Sequence, residues 1–340
     1  MRKRSSSVTI RDVAKKAGVS VATVSRYINR NAPVSVEVTE RLDQVMNEMK
    51  YVPHAAARHL ASRRTRVIGL LLTNMHNDFF APLLNGIEQV VRRNGYNLLV
   101  ATSHADSRAD FRPPIGPHNT DGMLVFADSL TDDDLRGLYV NGFPMVLVHR
   151  TPPVDAPIPS VTVENKTATL RLVDHLITQH DKKHILFMRG PDHQEDSYWR
   201  ETGYRSALEA RGIPVDERLM LKGDFEREVA HDSLSHFLEN GNRVEFDAVF
   251  AGDDDAAIGV INALTEHGFR VPEDVAVVGF DDLRLAAFLT PPLTTVRAPT
   301  ESVGRIAAER LFGLLKKEVS DGVVLLPTEI IIRRSCGCPA

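Results

Sequence analysis

Long apolar runs are missing from this 340-residue chain. No stretch approaches the ~18 to 20 consecutive apolar residues of a membrane span, so no membrane partner is expected. The basic start, Met1-Arg2-Lys3-Arg4 and three serines, has no apolar segment behind it. It therefore does not read as a secretory signal, and a cytoplasmic protein is expected. Cysteine is nearly absent: Cys336 and Cys338 both lie in the tail Ser335-Cys336-Gly337-Cys338. Two cysteines alone cannot fill a four-ligand zinc site within one chain. They read as reduced thiols, with a redox role or a metal shared between chains as the alternatives. Common catalytic signatures are lacking too: there is no GxxxxGK[ST] loop, no GxSxG elbow and no HExxH pair. The expectation is a protein that is not an enzyme and carries no cofactor and no metal.

What is present is an ordinary globular composition, 43% hydrophobic and 25% charged, in a chain long enough for two or three units. The net charge of -4 conceals an asymmetry. Residues 1–66 hold 14 Lys and Arg against 5 Asp and Glu, whereas the remainder holds 27 against 40. A basic head on an acidic body suits a polyanion-binding module attached to something else, although a basic solvated tail would give a similar count.

The head reads as three short helices. Thr9 with Asp12 three residues later forms a capping pattern, and Ile10, Val13, Ala14 and Ala17 recur at helical spacing. Gly18 stops that helix. Ser20 caps a second helix carrying Val21, Val24 and Ile28, and Ser35 a third carrying Val38, Leu42, Val45 and Met49. Helix, glycine turn, helix is the helix-turn-helix pattern. Residues 54–61 favour helix but are too few to hold one in water without partners, so this segment is expected to fold only on binding. From residue 67 apolar runs alternate with amphipathic helices, predicting strands at 67–72, 97–101, 122–126, 144–148, 184–188, 247–251, 275–279 and 329–333. Helices are predicted at 80–94, 165–180, 200–211, 227–240, 255–267 and 300–316. This alternation implies parallel sheets covered on both faces, in two α/β lobes. Prolines 113, 114 and 117 with Gly116 predict a loop or truncated helix over 108–119.

Over essentially its whole length the chain resembles the LacI/GalR family of repressors. The resemblance rests on residues 9–14, 17–20 and 22–26, on Asn29, Tyr51, Pro53 and Leu60, and on the run from Asp78 to Glu88. It continues through Tyr198 to Leu208, Asp253-Asp254 with Ala257-Ile258-Gly259, residues 278–282 and residues 291–296. It implies an α/β protein: an all-α helix-turn-helix headpiece on a periplasmic-binding-protein-like body of two Rossmann-like lobes with parallel sheets. The divisions expected are a headpiece over 1–50, a hinge helix and linker over 51–66, and an effector-binding and dimerisation domain over 67–340. Lobe 1 spans about 67–163 and 294–326, and lobe 2 about 164–293 and 327–340. The partners implied are semi-palindromic double-stranded operator DNA, a small-molecule effector of carbohydrate type, and a second copy of the chain.

The resemblance also places site residues. Val21, Ala22 and Arg26 open a recognition helix facing base edges, Arg26 suited to guanine; Val21 and Ala22 could instead be packing residues, and Arg26 a solvated charge. Thr9, Ser20, Thr23, Ser25 and Asn29 are implied phosphate contacts, which set register. His54 stands where asparagine is usual, Ala57 lies in the hinge, and Leu60 matches a leucine that wedges into the minor groove unless it is a stray apolar residue. Ligand contacts are implied for Phe79, Phe80, His149, Arg200, Phe225, Asp253 and Asp281. Carboxylates, a guanidinium fork and aromatic faces suit a polyol, but the phenylalanines could be core and Arg200 with Asp281 a structural ion pair. His149, Asp253 and Ala298 depart from the family pattern, and His149 could make binding pH-sensitive or be a satisfied histidine. The aspartates at 253–255 and 281–282 read as cap and sugar-binding groups in preference to a cation site. An exported solute-binding protein would share this body but lack the basic head, and an enzyme would turn its ligand over.

Overall fold

The computed structural model describes residues 8–29, 32–51, 64–76, 78–103, 113–239, 245–318 and 322–339. The chain separates into two compact units, residues 1–66 and 67–340.

The first unit contains α1 (Ile10–Ala17), α2 (Val21–Asn29) and α3 (Val36–Glu48). Its core is Val13, Ala14, Ala17, Val24, Leu42, Val45 and Tyr51. Thr9 and Asp12 close a reciprocal capping box on α1, with the Thr9 N–H donating to Asp12 Oδ2 at 2.9 Å. Gly18 ends α1 at φ 66°, where a side chain would be strained. The Ser20 hydroxyl accepts from the Thr23 N–H at 3.0 Å, so the turn restarts directly as a helix. Ser35 precedes α3 but makes no side-chain cap bond.

In the second unit, β1 (Val67–Leu72), β2 (Asn97–Thr102), β3 (Gly122–Phe126), β4 (Met145–Val148), β5 (Ser160–Val163) and β11 (Val323–Leu326) form one parallel sheet. Their spatial order is β11-β5-β4-β3-β1-β2. A second parallel sheet has the order β7-β6-β8-β9, from β6 (Ile185–Arg189), β7 (Met220–Lys222), β8 (Ala248–Ala251) and β9 (Ala276–Val278). Between them β10 (Thr295–Arg297) and β12 (Glu329–Ile331) pair antiparallel. The helices are α4 (Phe80–Arg93), α5 (Asp132–Val140), α6 (Lys166–His180), α7 (Glu195–Ala210), α8 (Arg227–Glu239), α9 (Asp254–Glu266) and α10 (Thr300–Leu315). The chain passes between the lobes three times: after β5, along β10, and after β11. In each sheet the strand order reverses beside the first strand, and the loops at the carboxyl ends there are where α/β sheets bind ligands.

Several elements differ from the expectation, and the strands β5, β7, β10 and β11 were not predicted. α7 starts at Glu195, five residues before the predicted position, because its first turn is polar and carries no periodic signal. α5 was not predicted; the Thr131–Asp134 capping box that starts it was the available clue. Over 113–119 there is no helix, in keeping with the loop its prolines predicted. Turns closed by Asn119 set Ile115, 1% exposed, beneath β1. A Cβ on Gly69 of β1 would stand 2.2 Å from Ile115 Cγ2, so the strand needs glycine there.

Two glycines set the approach of α4 to α10. A Cβ at Gly86 would stand 2.1 Å from the Glu301 carbonyl oxygen, and one at Gly304 would stand 2.3 Å from that of Leu83. Gly304→Ala should therefore destabilise the protein by about 1–3 kcal/mol, the usual cost of overpacking. Gly137→Ala, in α5 where a Cβ meets nothing within 4 Å, should stabilise by up to about 1 kcal/mol. Urea unfolding of the two variants reads the opposite signs; equal signs would contradict this packing.

Candidate functional site

On the first unit, burial of Val24 against α1 and α3 turns the opposite face of α2 outward, with Val21, Ala22 and Arg26 exposed. Val21 is 42% exposed and so is not spent on the core. Thr9 and Ser20 stand at the N-termini of α1 and α2, and the Ser20 and Thr23 hydroxyls are 2.9 Å apart. Ser25 is half-buried on α2, and Asn29 is its last residue. Val21, Ala22 and the Ser20–Thr23 pair thus gather at the start of α2, whose N-terminal end favours anions, while Arg26 is exposed in its last turn. His54, Ala57 and Leu60 lie outside the described residues.

On the second unit, a cleft of about 310 Å³ opens between the carboxyl ends of the two sheets. Phe79, Phe80, Arg200, Phe225, Asp253 and Asp281 all line it. Phe79 and Phe80 follow β1 and meet edge to face, with centroids 5.3 Å apart, and Phe126 at the end of β3 completes the aromatic wall. Opposite, Phe225 sits at φ 59°, its ring against the backbone of Gly190 and Gly252. A Cβ at Gly190 would lie 2.2 Å from that ring, so glycine is what admits the phenyl group.

Arg200 is 2% exposed and held on all sides. Its Nε donates to Asn165 Oδ1 at 2.9 Å, Nη1 to the Gly252 carbonyl at 2.7 Å, and Nη2 to Asp281 Oδ1 at 3.2 Å. Its Cζ lies 3.8 Å from the centroid of the Phe280 ring. Arg200 and Asp281 thus form an ion pair at the cleft wall. Asp253 caps α9 by accepting from the Ala256 N–H at 2.8 Å. Burial, reinforced by Asp281, pushes its carboxyl up to about 8. Asp281 is also raised by burial, which outweighs the opposing effect of Arg200. The other aspartates of the cluster are occupied within the protein. Asp254 accepts from Thr295 and the Leu283 N–H, Asp255 pairs with Arg227, and Asp282 with Arg297 and Arg333.

His149 stands behind the aromatic wall and does not line this cleft. Its ring contacts Phe79 and Phe126, and its Nδ1 lies 2.7 Å from Asp196 Oδ2. It borders instead an adjoining cavity of about 560 Å³ with Arg150, Thr151 and Tyr198. Asp196 is buried, yet the His149 imidazole and Arg200 hold its carboxyl below the usual range against that burial. The same edge carries two further contacts between lobes: His193 Nε2 to Asp128 Oδ2 at 2.8 Å, and the Thr151 hydroxyl to Glu195 at 3.0 Å. Phe126, Asp128, Asp192, Asp196, Lys222 and Asp224 line the cleft without having been singled out. Each sits at or just beyond a strand's carboxyl end or at the start of α7, a position the strand pattern alone could have flagged.

A helix-turn-helix unit with an outward second helix, on a two-lobed α/β body with a polar and aromatic cleft, defines a class: ligand-responsive DNA-binding regulators. Residues 9–54 match the model of bacterial regulatory proteins of the lacI family, and residues 173–336 that of a periplasmic binding protein-like domain. The chain is 31% identical over 332 residues to catabolite control protein A of Priestia megaterium, covering 96% of this chain and 99% of that protein. Among solved structures it resembles the transcriptional regulator CelR in complex with cellobiose (TM-score 0.69, 30% identity, 96% and 99% of the two chains). It also resembles the Lac repressor dimer bound to operator and an anti-inducer (TM-score 0.79, 25% identity, 97% and 99%). The chain belongs to the LacI family of bacterial regulators and is a DNA-binding transcriptional regulator. Among the described residues no helix is long and apolar enough to cross a membrane.

Asp253→Asn separates the capping oxygen from the charge, since asparagine keeps the acceptor for the Ala256 N–H. A carboxyl raised from 3.8 to about 8 in the folded state weakens the fold progressively as pH climbs between those values. The variant should gain thermal stability over the parent increasingly from about pH 4 to about pH 8, and level off above. A gain that does not change with pH would contradict the raised carboxyl.

Proposed function

We propose that this regulator is a homodimeric repressor acting in the cytoplasm, whose operator affinity is set by a sugar or sugar derivative bound between the lobes. The observation that carries the reading is the cleft itself. Two phenylalanines from one lobe face a guanidinium, two carboxyls and a third phenylalanine from the other, around a volume of about 310 Å³. Aromatic rings cover the apolar face of a pyranose or furanose, and the carboxyls take its hydroxyl hydrogens. Asp253, held protonated near neutral pH, can also donate one. CelR with its cellobiose shows that a relative of this architecture takes a sugar, which supports the same ligand class here.

In this reading Val21, Ala22 and Arg26 meet base edges in the major groove, and Arg26 carries guanine recognition. Thr9, Ser20, Thr23, Ser25 and Asn29 meet phosphates and set register. Phe79, Phe80, Arg200, Phe225, Asp253 and Asp281 hold the ligand, and His149 acts behind them through Asp196. The cleft binds and does not catalyse, so the ligand leaves chemically unchanged.

The test is a titration of the purified protein against a pool of semi-palindromic operator fragments, with and without a panel of sugars and sugar phosphates. One compound is expected to change specific binding and to be recovered intact; the absence of specific binding to any selected fragment at low and moderate salt would overturn the reading. Arg26→Ala should cost about 1–3 kcal/mol of discrimination at one base pair while weak nonspecific binding persists. Phe225→Leu should blunt the response to the compound with ligand-free operator affinity unchanged. An Arg26→Ala protein as selective as the parent would remove that residue from base recognition.

A further inference from the structure

Beyond β12 the chain returns to the second lobe and is fixed there by Ser335. Its hydroxyl donates to the Val277 carbonyl at 2.6 Å and accepts from the Thr294 N–H at 2.8 Å, and its own carbonyl accepts from the Val277 N–H at 2.9 Å. Arg333 adds a bond from its N–H to the Thr294 hydroxyl at 2.8 Å. These bonds lay Cys336-Gly337-Cys338 against the C-terminal turns of α6. Cys338 Sγ lies 3.3 Å from His180 Nε2 and 3.6 Å from His175 Nε2. With Cys336, the four side chains bring their ligand atoms within 4.8 Å of one another. Counting sulfurs alone had excluded a four-ligand site within the chain; the fold supplies two imidazoles from a helix far away in sequence.

We propose that His175, His180, Cys336 and Cys338 form a closed Cys2His2 site for a zinc ion that clips the C-terminal tail to α6. The separations suit it. Zinc takes sulfur at about 2.3 Å and imidazole nitrogen at about 2.0–2.1 Å. A tetrahedron with those bonds sets adjacent ligand atoms roughly 3.3 to 3.8 Å apart, the range in which both sulfur–nitrogen distances fall. The donors are two thiols and two imidazoles with no carboxylate among them. That set selects a borderline-soft cation and rejects calcium and magnesium, which take oxygen. All four positions come from the protein, so the site leaves no place for a substrate and is structural.

The backbone is shaped for the same end. Gly337 sits between the cysteines at φ 103°, and a Cβ there would lie 3.2 Å from His180 Nδ1. The turn that carries both sulfurs to the helix thus passes directly over a ligand ring, and only glycine fits. The His175 and His180 rings meet edge to face with centroids 5.1 Å apart. Cys336 is also tied to the strand crossing between lobes, because the Thr294 hydroxyl lies 3.1 Å from its sulfur. A metal at this point holds the tail, α6 and the β10 crossing together.

The experiment is metal analysis of the full-length protein purified without chelator, alongside Cys338→Ala and His180→Ala. Neither of those residues is fully buried, so both variants should fold, which circular dichroism checks. Wild type should carry one zinc per chain through dialysis and both variants should lose it. Apo protein, stripped and reduced, should bind added Co2+ with the intense visible absorption of tetrahedral thiolate coordination, and added Zn2+ should displace it and raise the melting temperature. Three results would overturn the proposal: zinc content equal in wild type and both folded variants, Co2+ binding without thiolate absorption, or no metal-dependent change in melting.

Discussion

A guanidinium buried where the second lobe faces the cleft fixes the geometry of that side of it. Arg200 projects from α7 and joins the start of α6 through Asn165, the end of β8 through the Gly252 carbonyl, and the end of β9 through Asp281. Taking such a charge out of water costs several kcal/mol, offset only when its donors are well directed and its counter-ion is close. Here three partners and the Phe280 face meet those conditions. Removing the cation would leave Asp281 buried without compensation, a loss of about 3–5 kcal/mol. The lobe therefore presents a polar wall to the cleft whose guanidinium is fixed from three sides before any ligand arrives.

The same helix also carries the contacts between lobes. Glu195 and Asp196, in the first turn of α7, reach Thr151 and His149 of the other lobe, and His193 just ahead of it reaches Asp128. Asp196 lies one turn from Arg200. In the proposed reading, a ligand between Arg200 and Phe79 would touch both α7 and the aromatic wall backed by His149.

Sequence periodicity located the elements that are apolar throughout. Val67–Leu72 and Gly122–Phe126 are buried on both faces and read as strands unaided. The strands at β7 and β10 are three residues long and offered little run to detect, whereas β11, Val323–Leu326, is a short apolar run at the sheet edge that is absent from the predicted strands. Helix α5 opens with three aspartates, which hides its amphipathic face. The site divides in the same way. Phe79, Arg200 and Asp281 were legible because a family resemblance assigns them, while Phe126, Lys222 and Asp224 are cleft residues only because parallel strands end side by side. His149 was placed one layer too far forward: the sequence could assign it to the pocket's neighbourhood but not say that Phe79 and Phe126 stand in front of it. The tail cysteines show the limit most plainly, since their imidazole neighbours are fixed by the Ser335 bonds to Val277 and Thr294, which no spacing rule contains.

The central claim is that ligand in the cleft and operator on the first unit act on one equilibrium. If so, the two binding free energies are coupled reciprocally. Titration calorimetry of the effector into free protein and into the protein–operator complex measures this directly. The account predicts that effector affinity differs between the two by the same factor by which effector changes operator affinity. Equal effector affinity on and off the operator, with the ligand seated in the cleft, would contradict it.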